Sequence, residues 1–120
     1  MPLRCLLVDD SDAFLETARL LLEREGLAVV GVASSIAEAL KQARALRPDL
    51  ILVDIGLGTE SGFTLAGLLA RDYNGTDVIL ISAGGEADYA ELIAESPAAG
   101  FLAKSELSAS RIVRILGQAS

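Results

Sequence analysis

Leu50-Ile51-Leu52-Val53-Asp54 runs through four aliphatic residues and stops on a carboxylate, and Cys5-Leu6-Leu7-Val8-Asp9-Asp10 ends the same way on two. A strand apolar at every position is covered on both faces, as in a parallel sheet, so residues 50–53 are placed centrally. A third run, Val78-Ile79-Leu80-Ile81, closes on Ser82, and a fourth, Gly100-Phe101-Leu102-Ala103, closes on Lys104. If these are parallel strands of one sheet, Asp9, Asp10, Asp54, Ser82 and Lys104 converge at one edge. That edge is where open α/β sheets bind ligands.

The segments between them carry helical spacing. Residues 12–25 place Phe14, Ala18, Leu21 and Leu22 on one stripe, ended by Gly26. After a second strand at 28–33, Ser34 or Ser35 can cap a helix through Leu46; Glu38 completes a capping box with Ser35, and Pro48 blocks continuation. Gly56, Gly58 and Gly62 make a permissive loop before a helix at 63–71, and Asn74-Gly75 turns the chain toward the strand at 77–81. Gly84-Gly85 precedes a short helix at 87–95, stopped near Ser96-Pro97. The last helix, 108–118, is expected to turn Ala109, Ile112, Val113 and Leu116 inward. Five alternations of strand and helix define an α/β chain around a buried parallel sheet. With 120 residues, 52% of them apolar, the expectation is one domain spanning 1–120, without linker or repeat.

Composition removes several functions. The 17 acids against 10 bases give a net charge of −7, and the chain has no tryptophan, so neither a basic stripe nor stacking platforms for nucleic acid are expected. Cys5 is alone, cannot form an internal disulfide and belongs to the first apolar run, which fits a small core residue in a reducing compartment. The four apolar residues from Cys5 to Val8 fall short of the roughly 7–15 of a signal-peptide core. No run approaches the roughly 20 residues of a membrane span, so the expectation is a cytoplasmic protein with no membrane partner.

Three carboxylates against Lys104 leave two net negative charges at the proposed edge, which one divalent cation would neutralise. Hard oxygen donors suit Mg²⁺, with Mn²⁺ as a substitute; zinc is unsuited to a chain with no histidine and one cysteine. A carboxylate beside such an ion can attack phosphorus, and Asp54 is the candidate, with Lys104 and Ser82 to neutralise and orient the transferring group. Taken singly, each residue has a plainer reading: an aspartate as a loop cap, a lysine as solvated surface, a serine bonded to its own backbone. Their common position at strand ends is what favours chemistry.

These residues resemble the receiver domain of two-component response regulators, of the CheY-like superfamily, over essentially the whole chain. The likeness rests on the acidic doublet Asp9-Asp10, on Pro48-Asp49-Leu50-Ile51-Leu52-Val53-Asp54, on Ser61-Gly62, on Ile81-Ser82-Ala83 and on Gly100-Phe101-Leu102-Ala103-Lys104. It implies a flavodoxin-like (βα)5 fold: a five-stranded parallel sheet of order 2-1-3-4-5 with helices on both faces. It further implies that Asp54 accepts a phosphoryl group from a sensor histidine kinase. Mg²⁺ would be held by Asp10, Asp54 and the backbone carbonyl of Gly56, with Asp9 reaching it through water. Ser82 and Lys104 would contact the phosphoryl oxygens. Ser82 and Phe101 would form the switch, changing the surface of the fourth helix, fifth strand and fifth helix. Phe101 as a plain core residue is the competing reading. The protein would then be a signalling module catalysing only its own phosphorylation and dephosphorylation, not an enzyme with an external substrate.

Some positions depart from the family's pattern. Gly58 and Ser105 stand where prolines are common, so the loop after Asp54 is expected to be looser and no cis peptide is expected after Lys104. The residues around Lys104 resemble receivers that precede a helix-turn-helix output domain. Ile115 and Arg111, beside the buried stripe of the last helix, are candidates for a partner or homodimer surface, against a reading as solvated flank. Three alternatives stand beside the switch. Asp9-Asp10-Ser11-Asp12 loosely resembles the acidic motif of haloacid-dehalogenase-type phosphatases, though the chain is short for one. A flavin-binding domain would share the sheet, but its phosphate loop would meet Asp9, Asp10 and Asp12. A receiver used only for docking, without phosphorylation, is the third.

Overall fold

The computed structural model describes residues 2–73 and 75–119. Its main sheet is parallel and contains β1 (Arg4–Val8), β2 (Ala28–Ala33), β3 (Leu50–Asp54), β6 (Asp77–Ser82) and β7 (Gly100–Ala103) in the order β2-β1-β3-β6-β7. The remaining two strands, β4 (Gly56–Leu57) and β5 (Glu60–Ser61), pair as a small antiparallel hairpin directly after β3. Counting only the main-sheet strands, the order is the 2-1-3-4-5 of the flavodoxin-like receiver fold. The helices are α1 (Asp12–Arg24), α2 (Ile36–Leu46), α3 (Gly62–Asp72), α4 (Ala90–Glu95) and α5 (Ala109–Ala119).

Alternation along β1, β3 and β6 splits the core into two. Leu6, Val8, Ile51, Val53, Val78 and Leu80 pack with Ala39 and Ala43 of α2 and Leu65, Ala66 and Leu69 of α3. Cys5, Leu7, Leu50, Leu52, Ile79 and Ile81 pack on the other face with Leu15, Ala18 and Leu22 of α1 and Ile112 of α5. Every residue of β3 is buried, as its unbroken apolar run requires. Burial pushes the Cys5 thiol up to about 12, so it behaves as a small apolar residue.

Helix boundaries follow the expected signals. Gly26 adopts φ +98 after α1, where a side chain would be strained. Ser35 Oγ accepts the Glu38 N–H at 3.2 Å, and Glu38 Oε1 accepts the N–H of Ser34 at 3.0 Å, one residue earlier than in the usual reciprocal box. The expected helix at 87–95 is a 3₁₀ turn over Glu86–Tyr89 followed by the six residues of α4, none of them buried. The Asn74-Gly75 turn involves Asn74, which lies outside the described residues. No cis peptide occurs among the described residues.

The last helix corrects one reading. Val113 is 55% exposed, and Ile115 turns inward instead. Val113 keeps helical spacing with Ala109 and Leu116, and Ile115 keeps it with Ile112; Gly100 decides between them. A Cβ on Gly100 would come within 2.6 Å of Ile115 Cγ2, so the glycine leaves a hollow in β7 that Ile115 fills. Ile115 is therefore largely spent on the core, while Arg111 remains exposed.

Candidate functional site

Strand register assembles the site. Val8 pairs with Val53, so Asp9 and Asp54 leave adjacent strands side by side. Asp54 pairs with Ile81 and Ser82 with Ala103, which sets Ser82 and then Lys104 one residue further along the same edge. The five residues, from four separate strand ends, share the edge where the apolar runs stop.

Asp9, Asp10 and Asp54 each bring a carboxylate oxygen within 4.8 Å of the others. Asp9 is fully buried and Asp54 is 8% exposed, whereas Asp10 faces solvent. Lys104 Nζ lies 2.6 Å from Asp9 Oδ2 and donates to Asp54 Oδ2 at 3.3 Å. The first contact is an ion pair, and among the described residues buried Asp9 Oδ2 has no further polar partner than that lysine. Asp9 Oδ1 accepts the Ser11 N–H at 2.8 Å, and Asp54 Oδ1 accepts that of Gly56 at 3.4 Å. Ser82, 7% exposed, accepts the Gly84 N–H on Oγ at 3.1 Å.

The electrostatics follow from that crowding. Burial, then the charge of Asp9, raises the Asp54 pKa above its ordinary 3.8, and Lys104 only partly offsets them. Burial alone would lower the Lys104 pKa from its ordinary 10.5, but Asp9 and Asp54 together outweigh it and hold it up. A buried carboxylate oxygen held by a lysine alone, within a cluster of hard donors carrying excess negative charge, fits Mg²⁺, which seeks one or two carboxylates and keeps several waters. Asp9, Asp10 and Asp54 are thus placed to hold a cation.

The backbone beside Asp54 is shaped by glycine. A Cβ on Gly62 would collide with the Asp54 carbonyl, so α3 can start this close to β3 only without a side chain there. Ser61 then caps α3 by accepting the Phe63 N–H at 3.2 Å. Gly62 also donates to the Ile55 carbonyl at 2.7 Å, which makes the next pair, Gly56 and Ser61, the non-hydrogen-bonded one of the ladder. The Gly56 carbonyl is therefore outside the ladder, on the side from which its N–H reaches Asp54. Gly58, at φ +67, forms the hairpin turn, and a Cβ on it would lie 3.8 Å from Asp10 Oδ2.

Phe101 packs half-buried against the α2–α3 side of the core, together with Tyr89 and Ile93. Two contributors lie outside the residues that the sequence singles out for the site. Phe14, expected on the inward stripe of α1, packs on the core and also brings its ring centroid 4.3 Å from Lys104 Nζ. Glu60, undistinguished in the sequence, fastens the hairpin to α2 by accepting the Ile36 N–H at 2.9 Å. An aromatic four residues after Asp10, in a chain with only three Phe and two Tyr, was the available signal for the first; nothing local signalled the second.

Residues 5–116 match the response regulator receiver domain family, and the chain belongs to it. It is a receiver domain of two-component response regulators. The response regulator GacA of Pseudomonas viridiflava is 33% identical over 103 residues, covering 85% of this chain and 48% of the relative. The receiver domain of a modulated diguanylate cyclase from Desulfovibrio desulfuricans G20 superposes with a TM-score of 0.82 at 32% identity, covering 99% of this chain and 94% of that one. A LuxR-family two-component response regulator from Aurantimonas sp. SI85-9A1 gives 0.83 at 25% identity, with 99% and 86% covered. The chain spans about half the length of the curated relatives it matches first. No described helix is long and apolar enough to cross a membrane.

Proposed function

We propose that the chain is a phosphoryl-accepting switch, in which Asp54 takes a phosphoryl group from the phosphohistidine of a sensor histidine kinase in a Mg²⁺-dependent reaction. The observation that carries this reading is the contact of Lys104 with Asp54 at 3.3 Å on a rim shared with the Asp9 and Asp10 carboxylates. An Asp54 oxygen forms the new bond to phosphorus as the bond to the imidazole nitrogen breaks, and the electron pair returns to the ring. Lys104, already held at that carboxylate, neutralises charge on the transferred oxygens, and the Ser82 hydroxyl orients them. Bound by Asp9, Asp10, Asp54 and the Gly56 carbonyl, Mg²⁺ would supply further charge neutralisation.

Attack of water on phosphorus releases inorganic phosphate and restores Asp54. The domain turns over no external metabolite and is no enzyme in that sense. Phosphorylation biases a two-state element through its differential interaction with the two states. Ser82 and the half-buried Phe101 are that element, and the α4–β7–α5 surface is the output, controlling an attached domain, of the helix-turn-helix kind, or a partner protein.

Incubation with Mg²⁺ and a small phosphodonor should add one phosphoryl group to the intact protein, and Asp54→Ala should abolish it. Absence of label in the wild type, or its persistence in Asp54→Ala, overturns the reading.

A further inference from the structure

The hairpin after Asp54 is too small to stand alone. It consists of two pairs, Gly56 with Ser61 and Leu57 with Glu60, closed by a turn at Gly58. Isolated hairpins of even ordinary length are marginal in water, so its position depends on what it is fastened to. One anchor is Leu57, 3% exposed in the core. Another is the Gly62 N–H bond to Ile55. A further fastening, on the outer strand, is Glu60 Oε1, which accepts the Ile36 N–H at 2.9 Å across 24 residues of chain.

Ile36 is the first residue of α2, where an N–H has no partner inside the helix and a carboxylate is favoured by the helix dipole. Ile36 also packs on the core, so Glu60 is tied to a fixed point. On the other side, the hairpin presents Gly56 to Asp54 and its turn abuts Asp10. Gly56 has open space where a side chain would stand, so no packing of its own holds it in place.

We propose that Glu60 is a positioning residue for the cation site: its bond to Ile36 holds the hairpin so that the Gly56 carbonyl stands ready beside Asp54 and Asp10 before the ion arrives. The inference rests on the Mg²⁺ reading above and adds a residue that touches neither the ion nor phosphorus. It also ties the site to the start of α2, since an ion on Gly56 and the amide of Ile36 hold opposite sides of the same hairpin.

Calorimetric titration of the unphosphorylated protein with Mg²⁺, paired with amide hydrogen exchange at Ile36, tests this. Glu60→Ala should weaken Mg²⁺ binding roughly tenfold, the lower end for residues that orient ligands from outside the coordination shell. It should also lower Ile36 protection. Glu60→Gln keeps the acceptor oxygen without the charge, and should retain binding within about twofold and protection near wild type. Equal losses in both variants would mean that only the negative charge of Glu60 matters, and would overturn the proposal. So would an unchanged Mg²⁺ affinity in Glu60→Ala. If the wild type binds no Mg²⁺, this proposal and the reading beneath it fall together, whereas tight wild-type binding that Glu60→Ala leaves intact removes this proposal alone.

Discussion

Replacing Asp54 by Asn should make the metal-free protein more stable, although it removes the negative charge that Lys104 faces at 3.3 Å. An Asp54 oxygen lies within 4.8 Å of oxygens of both Asp9 and Asp10. At an effective dielectric near 20, repulsion from buried Asp9 costs about 3.5 kcal/mol, and the attraction to Lys104 at 3.3 Å returns about 5 kcal/mol. Asp10 is exposed and largely screened, so the desolvation of Asp54 by its burial, the largest cause, decides the sign. The net stands against the ionised Asp54, in keeping with its raised pKa. For a domain of this size each kcal/mol of that net is worth roughly 3–5 °C in melting temperature.

Thermal unfolding followed by circular dichroism, in chelator and in excess Mg²⁺, provides the assay. In chelator Asp54→Asn should melt above the wild type. In Mg²⁺ the gap should shrink or reverse, because an ion bound only to the native state stabilises by mass action and the variant lacks one ligand charge. The pH dependence has a fixed sign. Between 3.8, where Asp54 titrates when unfolded, and its higher folded value, the native state holds more protons than the unfolded one, so this group's contribution falls as pH rises. The stability difference between variant and wild type should therefore grow through that window. A variant that melts at or below the wild type in chelator refutes the reasoning.

Lys104→Met should do the opposite. It strands fully buried Asp9 without its counter-charge and should cost about 3 kcal/mol in chelator, partly recovered by Mg²⁺. The folded pKa of Lys104 is raised, so its contribution is complete below 10.5 and lost as pH rises through the folded value; only the wild type should show that alkaline loss. Gly62→Ala, which drives a methyl into the Asp54 carbonyl, should destabilise by about 2 kcal/mol or more. Gly67→Ala, exposed on the same helix with open space around it, should stabilise by about 0.5–1 kcal/mol, and denaturant titration of the pair separates steric need from helix propensity.

The sheet was legible because its strands announce themselves twice, by uninterrupted aliphatic runs and by what stops them. Leu50 to Val53 must be buried on both faces, which puts that strand in the middle, and the carboxylate that follows must lie where the covering layers end. Once β1, β3, β6 and β7 are parallel and in register, the meeting of Asp9, Asp54, Ser82 and Lys104 requires no further information. The inward face of α5 was less legible, because Val113 keeps helical spacing with Ala109 and Leu116 while Ile115 keeps it with Ile112. What separates them is the hollow at Gly100, a residue on another element that no periodicity within the helix can reveal.

The same limit explains the site's surroundings. Gly56, Gly58 and Gly62 read as a permissive loop, but permissiveness does not say which conformation is chosen. Gly62 is needed for its close approach to Asp54, Gly58 for its positive φ, and Gly56 has free space around it. Of three glycines that look alike in the sequence, two answer different demands and the third answers none from its surroundings, and the resulting hairpin stays where it is partly through Glu60. Carboxylates that act as ligands must sit where strands end, so local pattern finds them. A residue that only steadies a ligand can come from any element within reach, and its place is fixed by tertiary structure alone.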